Sequence, residues 1–387
     1  MHARIGWQNL RTSEFLDSGN YMLITGTDFN DGAINFSTCH YVERERYEQD
    51  RNIQIHNGSI LITKDGTLGK VAYVQGLSMP ATLNAGVFNV QIKDANNVDE
   101  KYLFQYLKAP FLMDYVDKKA TGGTIKHLNQ SILVDFPVIL PQRSEQTLIG
   151  AFFQQLDNLI TLHQRKCDRL QNVKKSMLEK MFPKSGSKFP EIRFKGFTEA
   201  WEQRKLGDVV KEITRNDPES EAPIMMITAN NGFIEQSERY AFNNAGESLK
   251  KYILLKKGEL AYNHGASKLR PYGSCFALTT AENARIPFVY HCFSAENQNA
   301  EFMSIELNGA EIENQLRKIV SSGARMDGLL NISFDEYTSV SVLLPGTEEQ
   351  DRIADFFRHL DNLITLHQRK LEKLKNIKKS MLEKMFV

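Results

Sequence analysis

A chain of 387 residues with 41% hydrophobic content can bury two or three ordinary cores, which sets it apart from disordered and fibrous sequences. A formal net charge of +1 lacks the basic excess that announces a nucleic-acid partner, yet leaves one open, because local clusters and partner subunits can supply phosphate contacts. Four cysteines without ligand spacing argue against a disulfide framework or a zinc site and fit a reducing cytoplasm. No apolar run approaches the roughly 20 residues of a membrane span, and the opening MHARIGWQNL lacks a signal peptide's apolar core.

Residues 1–141 read as a mixed α and β module. Short apolar or alternating runs predict strands at Tyr21 to Thr25, Ser59 to Thr63, Lys70 to Val74 and Val87 to Ile92, separated by Gly, Asn and Asp turns. A polar, Gly-rich turn between the second and third of these exposes Lys64, Asp65, Thr67 and Lys70, the kind of loop that carries function. GTLGK within it is not a phosphate-binding P-loop, since Lys64 stands where the first glycine belongs and Val71 follows Lys70. A helix over roughly Asp99 to Lys119 should break near Pro110. After it, Thr121, Gly122, Gly123, Lys126 and His127 combine small residues with cations, a composition suited to phosphate oxygens.

Residues 142–183 predict one long helix, opened by LPQRSEQ and ended by Pro183 and KSGSK. From about Glu145 to Phe182 it would run roughly 55 Å, a spacer rather than a core element. Heptads place Ile149, Leu156, His163, Leu170 and Met177 at one seam position and Phe152, Leu159, Lys166, Val173 and Lys180 at the other, seven of the ten being apolar. His163 and Lys166 near the midpoint form a polar layer of the sort that fixes register.

A linker, residues 184–200, leads to a second mixed module over 201–345. Its Gly-rich turn, Lys256 to Leu278, offers Asn263, His264, Ser267, Lys268, Arg270 and Tyr272. Its late helix, roughly Ala300 to Val320, should break near Gly309, and Ser321, Ser322, Gly323 and Arg325 follow. Layout is shared with the first module while the letters differ.

Residues 346–387 then repeat the long helix. Phe152 to Phe182 and Phe356 to Phe386 agree at 24 of 31 positions, at an offset of 204 residues. The second copy supplies Ile353, Phe356, Leu360, Leu363, Leu374, Ile377 and Met381 to the same seam, and Thr347 with Gln350 has the capping-box pattern. The natural partner of each helix is the other, and both parallel and antiparallel pairing bring the central His and Lys residues together. Near-identity in the helices beside divergence in the modules means that one surface is needed twice. No HExxH, GxSxG, CxxC or GxGxxG occurs, so no bond chemistry is expected of this chain.

The order of variable module, LP-x-x-x-EQ, helix with LDNLITLHQRK and KKSMLEKMF, and FPEIRFKGFTEAWEQRKLGDV opening a second module resembles the specificity (S) subunits of type I restriction-modification systems, as do the ITGTDF and ILITKDGTLGKVA strings. The resemblance implies an α+β fold: two target recognition domains, joined by two long helices that pair as an antiparallel coiled coil with pseudo-two-fold symmetry. It implies a non-catalytic reader of a bipartite, asymmetric double-stranded DNA site, docked to two methyltransferase (M) subunits and to restriction (R) subunits. Cofactors would then belong to those partners, S-adenosylmethionine to the first and ATP with Mg to the second. A coiled-coil adaptor joining two partners without DNA is the alternative. A shift of 204 residues sets residue 1 opposite Lys205, so the first module is expected to lack a counterpart of Phe189 to Arg204.

Overall fold

The computed structural model describes all residues except 8, 120–127, 230–231, 239–245, 321–328 and 387. It divides into two compact units: unit 1 comprises Met1–Arg165 with His367–Val387, and unit 2 comprises Lys166–Leu366. Among the described residues no helix is long and apolar enough to cross a membrane.

Unit 1 is organised by a four-stranded antiparallel sheet: β1 (His2–Ile5), β2 (Ile60–Thr63), β3 (Val71–Tyr73) and β4 (Val87–Gln91), in the order β1-β4-β2-β3. Its central strands are buried on both faces, which is why they read as continuous apolar runs. Ile60, Ile62, Val71, Tyr73, Phe88 and Val90 face a core built with the helices, while Leu61, Ala72 and Val87 face a second core under a small sheet of Met22–Ile24, His40–Tyr41 and Ala81–Leu83. The late helix breaks at Pro110 as expected, into Glu100–Lys108 and Phe111–Lys119.

Unit 2 repeats this plan with other letters. Strands β5 (Val210–Glu212), β6 (Leu260–Asn263), β7 (Ser274–Ala277) and β8 (His291–Ala295) lie in the order β5-β8-β6-β7. Leu260, Tyr262, Cys275 and Phe293 face the helix side, and Ala261 and Cys292 the other. The late helix breaks too, here at Gly309 rather than a proline, into Ala300–Leu307 and Ala310–Ile319.

The two long helices are Arg143–Lys180 and Thr347–Lys384, each of 38 residues. Within unit 1 the start of the first meets the end of the second. Phe153 stacks on Phe386 at 5.6 Å, Lys378 Nζ donates to Asp157 Oδ1 at 2.5 Å, and His163 and His367 face each other through Nδ1 atoms 2.8 Å apart. Within unit 2, Lys174 bonds Asp361 at 2.5 Å and Phe182 lies 6.2 Å from Phe357. As one number rises the other falls, so the pairing in each unit is antiparallel. Charge explains the choice: parallel pairing in register would set Asp157 against Asp361 and Lys174 against Lys378, like charges where this arrangement has ion pairs.

The seam differs from the sequence expectation at one of its two positions. Ile149, Leu156, Ile353 and Leu360 are buried, and Leu170, Met177, Leu374, Ile377 and Met381 pack against the cores. Phe152 is 39% exposed, however, whereas Phe153 is 0% exposed, and Leu159, Val173 and Leu363 are exposed while Ile160, Cys167 and Ile364 are buried. Phe356 is half-buried against Phe194. Steps of three or four residues both satisfy a heptad. The observed phase runs Ile149, Phe153, Leu156, Ile160, His163, Cys167, Leu170, Lys174, Met177, Met181 and carries eight apolar residues of ten.

The recurring LP-x-x-x-EQ string anchors helix to module. Gln146 is buried, accepts the backbone N–H of Asp99 at 2.9 Å and donates to Pro141 O at 2.8 Å; Gln350 accepts from Asn299 at 3.0 Å and donates to Pro345 O at 2.9 Å. Asp99 and Asn299 are the N-caps of the late helices, so each glutamine ties a long helix to the start of its module helix. That role removes the expected capping box: Gln350 turns toward Asn299 rather than Thr347, and the amides of Glu349 and Gln350 are taken by Gly346 O.

Candidate nucleic-acid interface

The two Gly-rich turns singled out from sequence occupy the same topological place, the connections β2–β3 and β6–β7. In unit 1 the turn is stitched by Thr63, a buried residue whose hydroxyl donates to Thr67 O and accepts the amide of Lys70 at 2.9 Å. Gly69 has φ +73, a backbone conformation that favours glycine, and it lies against the flexible Met113 side chain of the late helix. Lys64 is half-buried, its ammonium 3.8 Å from Asp65 and its backbone bonded to Gly86 and Leu128. Thr67 and Lys70 are exposed. The result is a rigid turn presenting a hydroxyl and a cation to solvent.

Unit 2 builds its turn from more polar material, most of it spent internally. Asn263 accepts from Gly265 at 2.9 Å and donates to Ile227 O at 3.0 Å. His264 is buried, with Nδ1 2.9 Å from Leu330 O and Nε2 2.7 Å from Val289 O, so sequence reasoning placed on the surface a ring that the structure puts inside. Two carbonyls hold it because β6 ends between the loops carrying Val289 and Leu330. Arg270 donates to Asn308 O at 2.7 Å, and burial pulls its guanidinium below the usual range. The Tyr272 carbonyl accepts from Tyr262, and Ser267 closes a turn by accepting the amide of Arg270 at 3.0 Å. Ser267 and Lys268 remain exposed at the tip. Beside them stand exposed apolar residues that sequence reasoning passed over, Leu269 in the turn and Phe288 next to the His264-bound Val289; no periodicity marks a lone apolar residue in a loop. Thr121, Lys126, His127, Ser322 and Arg325 lie outside the described residues.

Two modules of one topology, each offering a braced polar turn and each tied to a repeated helix, make a protein built twice on one plan. Residues 7–172 match the family model described as "Type I restriction modification DNA specificity domain". In sequence the chain is likewise similar to curated type I restriction enzyme specificity subunits. It is 24% identical over 359 residues to the type I restriction enzyme MjaVIII specificity subunit of Methanocaldococcus jannaschii, covering 86% of this chain and 79% of that one. It is 23% identical over 392 residues to the putative MjaX specificity subunit of the same organism, covering 95% and 86%. In fold it is similar to the crystal structure of a type I restriction-modification system S subunit from M. genitalium, with TM-score 0.63 and 13% identity over 100% of this chain and 93% of that one.

Proposed function

We propose that the chain is the non-catalytic DNA reader of a type I restriction-modification complex in the cytoplasm, recognising a bipartite, asymmetric duplex site. The readers are residues 1–141 and 201–345, the spacers 142–183 and 346–387, and 184–200 the link between them. One observation carries this reading: unlike turns occupy the same connection of like sheets, while the helices scarcely differ. Such a pattern suits two unlike half-sites read by two similar devices. Half-sites on one side of the duplex recur at about one helical turn, ~34 Å. Lys70 and Lys268 would meet phosphate or base edges, and Thr67 and Ser267 would add hydroxyl contacts.

Two methyltransferase subunits would dock on the repeated helices. Leu159 and Leu162 in unit 1, with Leu363 and Leu366 in unit 2, stay exposed in a string retained letter for letter, and internal packing gives no reason for that retention. Methyl transfer from S-adenosylmethionine would then occur on those partners, and ATP- and Mg-dependent steps on restriction subunits. Substituting Lys70 or Lys268 with Ala in the assembled methyltransferase complex tests the readers. A uniform loss of affinity on all duplexes marks a phosphate contact, and relaxed preference at one position marks base readout. Unchanged binding of both variants contradicts the assignment of these turns, and binding of protein partners with no preference among duplexes favours the adaptor reading.

A further inference from the structure

The turn of unit 2 opens on a ring that is held from both sides. His264 follows the last residue of β6 and is buried, with Nε2 2.7 Å from Val289 O and Nδ1 2.9 Å from Leu330 O. Its own carbonyl accepts the Leu330 amide at 2.9 Å, and Gly265 beside it bridges to Leu329. One side chain thereby ties three stretches together: the turn carrying Ser267 and Lys268, the loop carrying the exposed Phe288, and the chain returning at 329–332. A carbonyl oxygen only accepts and a neutral imidazole has one N–H, so a neutral ring would set a lone pair against one of these oxygens. His291, with its ring 5.3 Å away, differs. Its contact is to Ile332 O at 3.0 Å, which asks for one N–H, and burial, with His264 adding to it, holds that imidazole below its usual range.

We infer that His264 is a positioning residue in its doubly protonated, cationic form, a clamp that fixes the reading surface of unit 2 and lets go as pH rises. The surroundings permit the charge. Tyr262 lies 6.4 Å away ring to ring, no carboxylate bonds the imidazole among the described residues, and neither 287–289 nor 329–332 contains an ionisable side chain. Burying a cation without a carboxylate is costly, and two charge-assisted bonds to carbonyls offset that cost. Loss of one proton leaves a lone pair facing a carbonyl, which frees either the 287–289 loop or the 329–332 return from the turn. Unit 1 lacks this device: Lys64 stands at the corresponding place, its carbonyl accepting the Leu128 amide at 3.0 Å, so no imidazole titrates there. The consequence for recognition rests on the reading of these turns as DNA readers: the half-site preference of unit 2 falls with rising pH, and that of unit 1 lacks this dependence.

Nitrogen NMR of the full chain carrying isotope-labelled histidine tests the charge without DNA. His264→Gln identifies its signals among the nine histidines, and should that variant not fold, His291→Gln identifies them through the ring beside it. At about pH 7 both ring nitrogens of His264 should resonate as N–H, and His291 should keep one bare nitrogen. A bare nitrogen on His264 overturns the inference. The second readout is the affinity of the assembled methyltransferase complex for its selected duplexes. Preference at the block altered by Lys268→Ala should fall roughly tenfold between about pH 6 and about pH 8 while the other block holds, and His264→Gln should remove the slope. Equal slopes at the two blocks, or a slope that persists in His264→Gln, overturns the clamp. Absence of any selective binding sinks the DNA reading instead and leaves the nitrogen measurement to decide the charge.

Discussion

The same two letters, an aspartate in LDNLITL and the first lysine of KKSMLEKMF, form an ion pair in both units and meet different surroundings. In unit 1 the Lys378 side chain is only 8% exposed, Gln105 adds a bond of 2.8 Å to Asp157, and Lys108 lies nearby. In unit 2 the Lys174 side chain is 32% exposed and its partner Asp361 more so. Module 1 packs polar side chains over the pair, whereas Asn308, the residue corresponding to Lys108, bonds Cys275 and Ser304 within its own module. The antiparallel pairing is thus specified twice by charge, at greater desolvation cost in unit 1.

That contrast can be broken at several points. The largest effect should come from the seam. Phe153→Ala is expected to cost about 3–5 kcal/mol of unfolding free energy, against under about 1 kcal/mol for Phe152→Ala next to it. Equal costs measured by denaturant titration would put the seam phase in error. Next, Lys378→Ala leaves Asp157 with only Gln105 and should cost about 2 kcal/mol, while Lys174→Ala costs under about 1 kcal/mol. Reversing the charges of one pair, Asp157→Lys with Lys378→Asp, should retain helicity by circular dichroism, and Asp157→Lys alone should not.

Smaller effects follow from pH and act in opposite senses. Burial, with Lys108 adding repulsion, pushes the Lys378 ammonium down to about 8 from 10.5. Between those values the unfolded chain holds a proton that the folded chain has lost, so the contribution of unit 1 to stability rises with pH. Burial pushes the Glu306 carboxyl in unit 2 up to about 7 from 4.5, against a bond from the Leu343 amide. Here the folded chain keeps the proton longer, and stability present below pH 4.5 is lost as pH rises through 7. Thermal melts of Glu306→Gln should be flat across that window where the unaltered chain declines, and parallel slopes would deny the burial of this carboxyl.

Element existence was largely legible in the sequence, because strands buried on both faces are apolar throughout and because Pro110 and Gly309 interrupt otherwise periodic helices. The seam was half legible. Doublets such as Phe152-Phe153 and Leu159-Ile160 fit either phase, but Cys167 and Met181 against Lys166 and Lys180 carried the deciding signal. Orientation was also encoded, in Asp157 and Lys174 with their copies, once charge rather than hydrophobicity is placed in register. The turns were located by their glycines and cations. Their division into Lys268, which faces solvent, and His264 and Arg270, which brace the loop, depends on carbonyls of Val289, Asn308 and Leu330 far along the chain, and no local pattern foretells those.

The central proposal, that two like-built modules read two unlike half-sites, is tested most directly by selecting duplexes from a randomised library with the chain assembled into the proposed methyltransferase complex. The account expects two short enriched blocks separated by an indifferent spacer of about one helical turn, and Lys268→Ala should alter at most one of them. A single contiguous block, or no enrichment over input at any salt concentration, would contradict it.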